Sequence, residues 1–130
     1  MKLLLDTQML IWLLLWPENL PQNAREVIAD EENDLCFSPA NLWGVSIKRS
    51  QNKPDFQLNA RAMRENLLEK GCFEVPITSL HAIVAGELPI FHKDPFDRLL
   101  VAQAIVENFF LLTSDKKIAE YPAPVIFVPR

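Results

Sequence analysis

Two aspartates stand at the mouth of an apolar helix in the stretch His92-Lys93-Asp94-Pro95-Phe96-Asp97-Arg98-Leu99-Leu100, and paired carboxylates are side chains that hold divalent cations. Asp94 is placed to be an N-cap, with Pro95 as the first helical residue, where its fixed φ and missing N–H cost nothing. Asp97 falls on the first turn, near the cap's own side. Apolar residues follow almost all round, from Leu99 to Val106, as in a helix pressed against a sheet. Capping and the helix dipole alone also favour two acids here. The segment by itself leaves both roles open.

Two further acids follow short apolar runs. Asp6 comes after Lys2–Leu5, and Asp115 after Phe109–Leu112 with Thr113 and Ser114 between. In open parallel sheets the functional crevice lies outside the carboxyl ends of the strands. If the Asp94 helix starts at that edge, Asp97 joins Asp6 and Asp115 there. Each acid taken singly is explained as a helix cap. Three together repel, and one stays protonated unless a cation settles between them. Mg²⁺ or Mn²⁺ suits such a site, using a few carboxylates, waters and substrate phosphate oxygens. The chemistry implied is phosphodiester hydrolysis, the cation activating water and steadying the departing oxygen. The spacing is compatible with one cation or with two.

The elements that must position these acids alternate in type. Short strands are expected at Lys2–Leu5, Leu35–Phe37, Phe73–Val75, Phe109–Leu112 and Val125–Val128. Helices are expected from Met9 to Trp16, Leu20 to Asp30, Pro39 to Ser50, Phe56 to Gly71, after the Thr78 cap to about Gly86, after Asp94, and from Asp115 to Glu120. Gln51–Asp55, with Pro54, reads as a loop. Strands alternating with helices imply one α/β domain, a parallel sheet covered on both faces.

Bulk properties narrow the possibilities. With 130 residues, 49% hydrophobic and 23% charged, the chain has the balance of one globular domain with a real core. Its net charge of −4, from 13 basic and 17 acidic residues, excludes a nucleic-acid binder held by a generally basic surface. RNA or DNA would need a local patch, a bound cation or a partner. The N-terminal apolar run is broken by Asp6-Thr7-Gln8 and is too short to span a bilayer, so a cytoplasmic protein without membrane attachment is expected. Cys36 and Cys72 each sit beside a Phe and read as small buried residues rather than a metal pair.

Leu3-Leu4-Leu5-Asp6-Thr7, Ser38 with Leu42-Trp43 and Ile47-Lys48, the His92–Ala104 block and Leu111-Leu112-Thr113-Ser114-Asp115 together resemble a PIN-domain protein. More closely they resemble the VapC-type toxin ribonucleases of bacterial toxin–antitoxin pairs, in order over nearly the whole chain. The resemblance implies a single PIN domain over residues 1–130, a three-layer α/β/α sandwich on a mostly parallel sheet of four to five short strands. It further implies Mg²⁺- or Mn²⁺-dependent endoribonuclease activity on RNA, a homodimer, and inhibition by a small antitoxin protein inserted near the site. The family's acids fall on Asp6, Asp97 and Asp115, with Asp94, Arg98, Thr7 and Ser114 as accessory positions.

One departure stands out. Where the family commonly reads Leu-Trp-Glu-Ile, this chain has Leu42-Trp43-Gly44-Val45, so Gly44 replaces an expected metal-site glutamate. Glycine inside a helix costs about 1 kcal/mol relative to alanine, so helix stability does not explain it. Three accounts stand: a weakened nuclease, compensation by another acid such as Asp94, or a single-base substitution that disarms a toxin. A PIN domain that only binds its antitoxin or RNA is the alternative function. A nucleotide-binding regulator is disfavoured, because no phosphate-cradling glycines follow the first strand. Gln8 also stands where a histidine is frequent. Trp12 and Trp16, one turn apart, read as core or as a dimer or antitoxin groove. Trp43 is expected to pack under the Ser38 helix, and His92 to be a loop histidine. Arg98 is a phosphate-contact candidate; Lys48, Arg49 and Lys53 form a small basic cluster, and Lys116 and Lys117 lie near the proposed edge.

Overall fold

A computed structural model describes residues 1–50 and 58–130. Its centre is β1 (Lys2–Leu5), whose three leucines are fully buried. Successive strand side chains point to opposite faces. Leu3 and Leu5 accordingly enter one apolar cluster and Leu4 the other. A strand buried on both faces needs an unbroken apolar run, which is what the sequence has here.

Five strands pair in the order β3-β2-β1-β4-β5, all parallel: β2 is Asp34–Phe37, β3 Phe73–Glu74, β4 Phe110–Thr113 and β5 Val125–Phe127. The chain runs outward from β1 to β3, then crosses to the other side of β1 to form β4. The switch point therefore lies between the carboxyl ends of β1 and β4, where Asp6 and Asp115 follow.

Seven α-helices cover the sheet among the described residues: α1 (Thr7–Leu15), α2 (Gln22–Ala29), α3 (Pro39–Ser50), α4 (Ala60–Glu69), α5 (Ser79–Glu87), α6 (Pro95–Glu107) and α7 (Lys116–Ala119). Met9, Leu10, Ile11, Trp12, Ala24, Met63 and Leu67 of α1, α2 and α4 pack on the Leu3/Leu5 face. Leu100, Val101, Ala104 and Ile118 of α6 and α7 pack on the Leu4 face. Helix α3 serves both, with Val45 in the first cluster and Ala40 in the second. Helices on both faces of a parallel sheet make the α/β sandwich expected from the sequence.

Several boundaries differ. Helix α1 starts at Thr7 rather than Met9, because Asp6 accepts the Met9 amide and caps it. Pro17–Asn19 forms a short 3-10 turn after it. The described part of the helix expected from Phe56 begins at Ala60, where Asn59 caps by accepting from the Ala62 amide at 2.8 Å. Its expected start, the 51–55 loop and Lys53 lie outside the described residues. Trp43 is not beneath α3 but on its outer side, 65% exposed and tilted against Phe96, because α3 buries Ala40, Asn41 and Val45 instead. Cys36 and Cys72 are buried free thiols. No helix among the described residues is long and apolar enough to cross a membrane.

Candidate active site

Of the helices that begin at the carboxyl edge, three have an aspartate at their start. Asp6 caps α1, Asp94 caps α6 with Asp97 on its first turn, and Asp115 caps α7. The caps are local necessities, since the first helical N–H groups have no partner within the helix. The topology then turns three local solutions into one cluster. Asp6, Asp94, Asp97 and Asp115 all line a cleft of about 860 Å³, with Thr7, Gly44, Lys48, His92, Ser114 and Arg130 among its other walls.

Asp6 is 4% exposed. Its Oδ1 accepts from the Met9 amide at 2.8 Å, and its Oδ2 accepts from the Thr113 hydroxyl. Thr113 Oγ1 in turn accepts from the Asp115 amide at 2.9 Å, so its proton is committed to Asp6 and the two acids share one buried hydroxyl. Asp115 Oδ1 accepts from the Lys117 amide at 2.8 Å. The Nε2 atom of His92 lies 3.1 Å from Asp97 Oδ2 and 3.0 Å from Asp115 Oδ2. One donor atom from each of His92, Asp97 and Asp115 falls within 4.8 Å of the others.

Burial pushes the Asp6 carboxyl up to about 6, the Thr113 and Met9 hydrogen bonds opposing and the Asp115 charge adding to the rise. Burial also raises Asp97 to about 7, reinforced by Asp94, Asp6 and Asp115 and opposed by His92. Like charges in a poorly solvated cleft disfavour ionisation. A divalent cation reverses that balance, and hard carboxylate oxygens are the donors Mg²⁺ and Mn²⁺ prefer. The residues present fit such an ion.

The other candidates divide. Thr7 lines the cleft, its Oγ1 accepting from Asn41 Nδ2 at 3.1 Å, and Ser114 lines it while donating to the Val128 carbonyl at 2.7 Å. Asp94 is occupied as a cap, accepting from the amides of Phe96 at 2.8 Å and Asp97 at 3.4 Å. Gly44 is on the cleft wall, where a Cβ would meet Thr7 Oγ1 at 3.6 Å and Cγ2 at 3.7 Å, ordinary contact distances. Arg98 requires correction as a phosphate contact. Its Nη2 donates to the carbonyls of Ala85 at 2.8 Å and Leu88 at 3.2 Å, satisfying the end of α5. The cations on the cleft are instead Lys48, Lys93 and Arg130; Lys48 reaches Gln8 Oε1 at 3.4 Å, and Arg130 lies 4.7 Å from the Trp12 ring centre.

Three residues take part in the site although the sequence assigns them no role there. His92 is no bystander in its loop, since it touches two of the acids. Thr113 joins Asp6 to Asp115. Asn41 ties α3 to the site, donating to the Leu5 carbonyl at 3.3 Å and accepting from the Ser38 amide at 2.7 Å. The signals that could find them are placement and motif: His92 two residues before the cap and Thr113 at a strand end, both inside the matching blocks, and a polar Asn41 on the inner side of α3.

Comparison with known proteins fits this architecture. The PIN domain family profile matches residues 3–124. No curated protein matches the chain. Among solved structures, VapBC2 from Rickettsia felis bound to a DNA fragment from their promoter is similar, with a TM-score of 0.71 at 20% identity, covering 100% of this chain and 99% of that one. DNA-bound VapBC from Salmonella typhimurium gives a TM-score of 0.66 at 16% identity, covering 98% of each chain. VapBC-1 from nontypeable Haemophilus influenzae gives 0.62 at 17% identity, again over 98% of each. At these identities the likeness is one of fold.

Proposed function

The chain belongs to the PIN-domain family, and on that premise we propose that it is a Mg²⁺- or Mn²⁺-dependent endoribonuclease, the toxin of a toxin–antitoxin module. The observation that carries this is the convergence of Asp6, Asp97 and Asp115 on one cleft at the switch point of the sheet. These three carboxylates would hold the cation, which supplies Lewis-acid activation of water and charge stabilisation for phosphodiester hydrolysis. Thr113 orients Asp6, the α7 amides orient Asp115, and Lys48 and Arg130 on the cleft are placed to meet backbone phosphates of an RNA strand. An acidic chain that binds RNA needs such a local device.

The structural neighbours are VapBC complexes, which supports a small antitoxin as this chain's partner. Residues 1–130 would act as one domain in the cytoplasm. A homodimer is supported by the exposed apolar residues Leu80 and Ile83 of α5, 53% and 58% exposed.

A second reading, a catalytically silent PIN domain that binds its antitoxin or RNA, is favoured by one observation: Gly44 offers no carboxylate from α3. Mn²⁺-dependent cleavage of a mixed RNA pool by the parent chain, Gly44→Glu and Asp97→Asn separates the two. Cleavage by the parent, faster in Gly44→Glu and absent from Asp97→Asn, supports the nuclease. Cleavage by Gly44→Glu alone assigns the parent a binding role. Silence from all three overturns the nuclease proposal for this RNA pool.

A further inference from the structure

We infer that His92 is a positioning residue of the carboxylate site, its Nε2–H held by one oxygen of Asp115 and set against one of Asp97, so that the ring supports the cation's ligands without becoming one. The inference rests on the cation-binding proposal above, and its core is a matter of which nitrogen bears the proton.

The Asp94 amide points at Nδ1 of His92, 3.2 Å away. A backbone N–H can only donate, so Nδ1 contributes its lone pair, and in the neutral ring the proton sits on Nε2. That nitrogen faces Asp115 Oδ2 at 3.0 Å in hydrogen-bonding geometry, with Asp97 Oδ2 3.1 Å away as a close charged neighbour. The ring is also anchored from its backbone, because the His92 amide donates to the hydroxyl of Tyr121 at 3.0 Å, and Tyr121 is 3% exposed. The imidazole is thus fixed at both ends and aimed at the acids.

Direct coordination would need the Nε2 lone pair. The proton would move to Nδ1 and face the Asp94 amide, setting two donors against each other. A histidine that ligates a metal normally donates its other ring N–H to an acceptor, and no acceptor is paired with Nδ1 here. The ring instead links elements that the backbone does not join at this point, Asp97 on α6 and Asp115 after β4. With no acid on α3 at position 44, this link steadies two of the three carboxylates that remain. It also leaves an all-oxygen ligand set, which selects Mg²⁺ and Mn²⁺ over softer ions.

His81 supplies an internal control. Its Nδ1 accepts from the Thr78 amide at 2.9 Å and its Nε2 meets Glu107 at 3.1 Å, in the same local arrangement but away from the cleft. Nitrogen-15 NMR of the full chain, without and with Mg²⁺, reads both rings. The expected result is an Nε2–H tautomer for both, which His92 retains in Mg²⁺. A His92 ring that carries its proton on Nδ1, or that loses the Nε2 proton when Mg²⁺ is added, overturns the inference.

Mn²⁺ affinity, measured by electron paramagnetic resonance, tests the consequence. His92→Ala is expected to weaken binding about 10- to 100-fold, the usual effect of losing an outer support. His92→Gln, which keeps an N–H donor, is expected to recover part of it. Unchanged or tighter binding by His92→Ala overturns positioning, while thermal unfolding in chelator checks that the variant is folded. A parent chain that takes up no Mn²⁺ but keeps the Nε2–H tautomer overturns the cation proposal. Mn²⁺ uptake with an Nδ1–H tautomer overturns this inference alone.

Discussion

The faces of the sheet and its carboxyl edge obey opposite rules. On the faces, Leu3, Leu4, Leu5, Leu100, Leu111 and Leu112 are fully buried among other apolar side chains. Each stabilises the fold by roughly 1.5–3 kcal/mol. At the edge, two aspartates are removed from water beside further acids, and their ionised forms oppose folding. The edge is held in place by the faces. That contrast explains how three repelling carboxylates persist on one cleft: the strands and helices carrying them are fixed by contacts made elsewhere.

The sharpest way to break the contrast is Asp97→Asn. Loss of a carboxylate proposed to hold the cation is expected to lower RNA cleavage by about 10²–10³-fold or more. The same variant is expected to melt higher than the parent in chelator, because it removes a buried charge and leaves an acceptor for His92. Leu100→Ala does the reverse. It should cost about 2–5 kcal/mol in urea unfolding, with cleavage per folded molecule little changed.

The pH dependence sharpens the comparison. Asp6 and Asp97 titrate at about 6 and about 7 when folded, against a starting value of 3.8. Between those limits the folded chain holds protons that the unfolded chain has released. The resulting stability is fully present below pH ~4 and is lost as pH rises through about 6 and 7. The loss is on the order of several kcal/mol in metal-free protein, and Asp97→Asn removes the larger share of it. Denaturant titrations across this range measure it. The smallest effect belongs to Arg98→Ala. Two bonds to the carbonyls closing α5 are lost, costing about 1–3 kcal/mol. Cleavage is expected to survive, as it would not if Arg98 gripped phosphate.

Much of this was legible in the sequence because it is local. The Lys2–Leu5 run, the Asp94-Pro95 start of α6 and the glycine after α4 each dictate their own backbone. So did the alternation of elements, which sets Asp6 and Asp115 at one edge. What escaped depends on packing between distant segments. His92 finds Asp115 across 23 residues of chain, a proximity no spacing rule encodes. Trp43 looked like core because it is large and apolar, yet the smaller Ala40 and Val45 take the inner face of α3. Arg98 looked like a phosphate ligand from its place beside Asp97, yet the helix turn aims it at the open carbonyls of α5.

The measurement that tests the account most directly is thermal unfolding of the parent and Asp97→Asn at pH 7.5, in chelator and then in Mn²⁺. The account predicts that the parent melts below the variant without metal and rises with Mn²⁺, while the variant responds weakly. A parent that ignores Mn²⁺, or a variant that rises equally, would show that these carboxylates do not form a cation site.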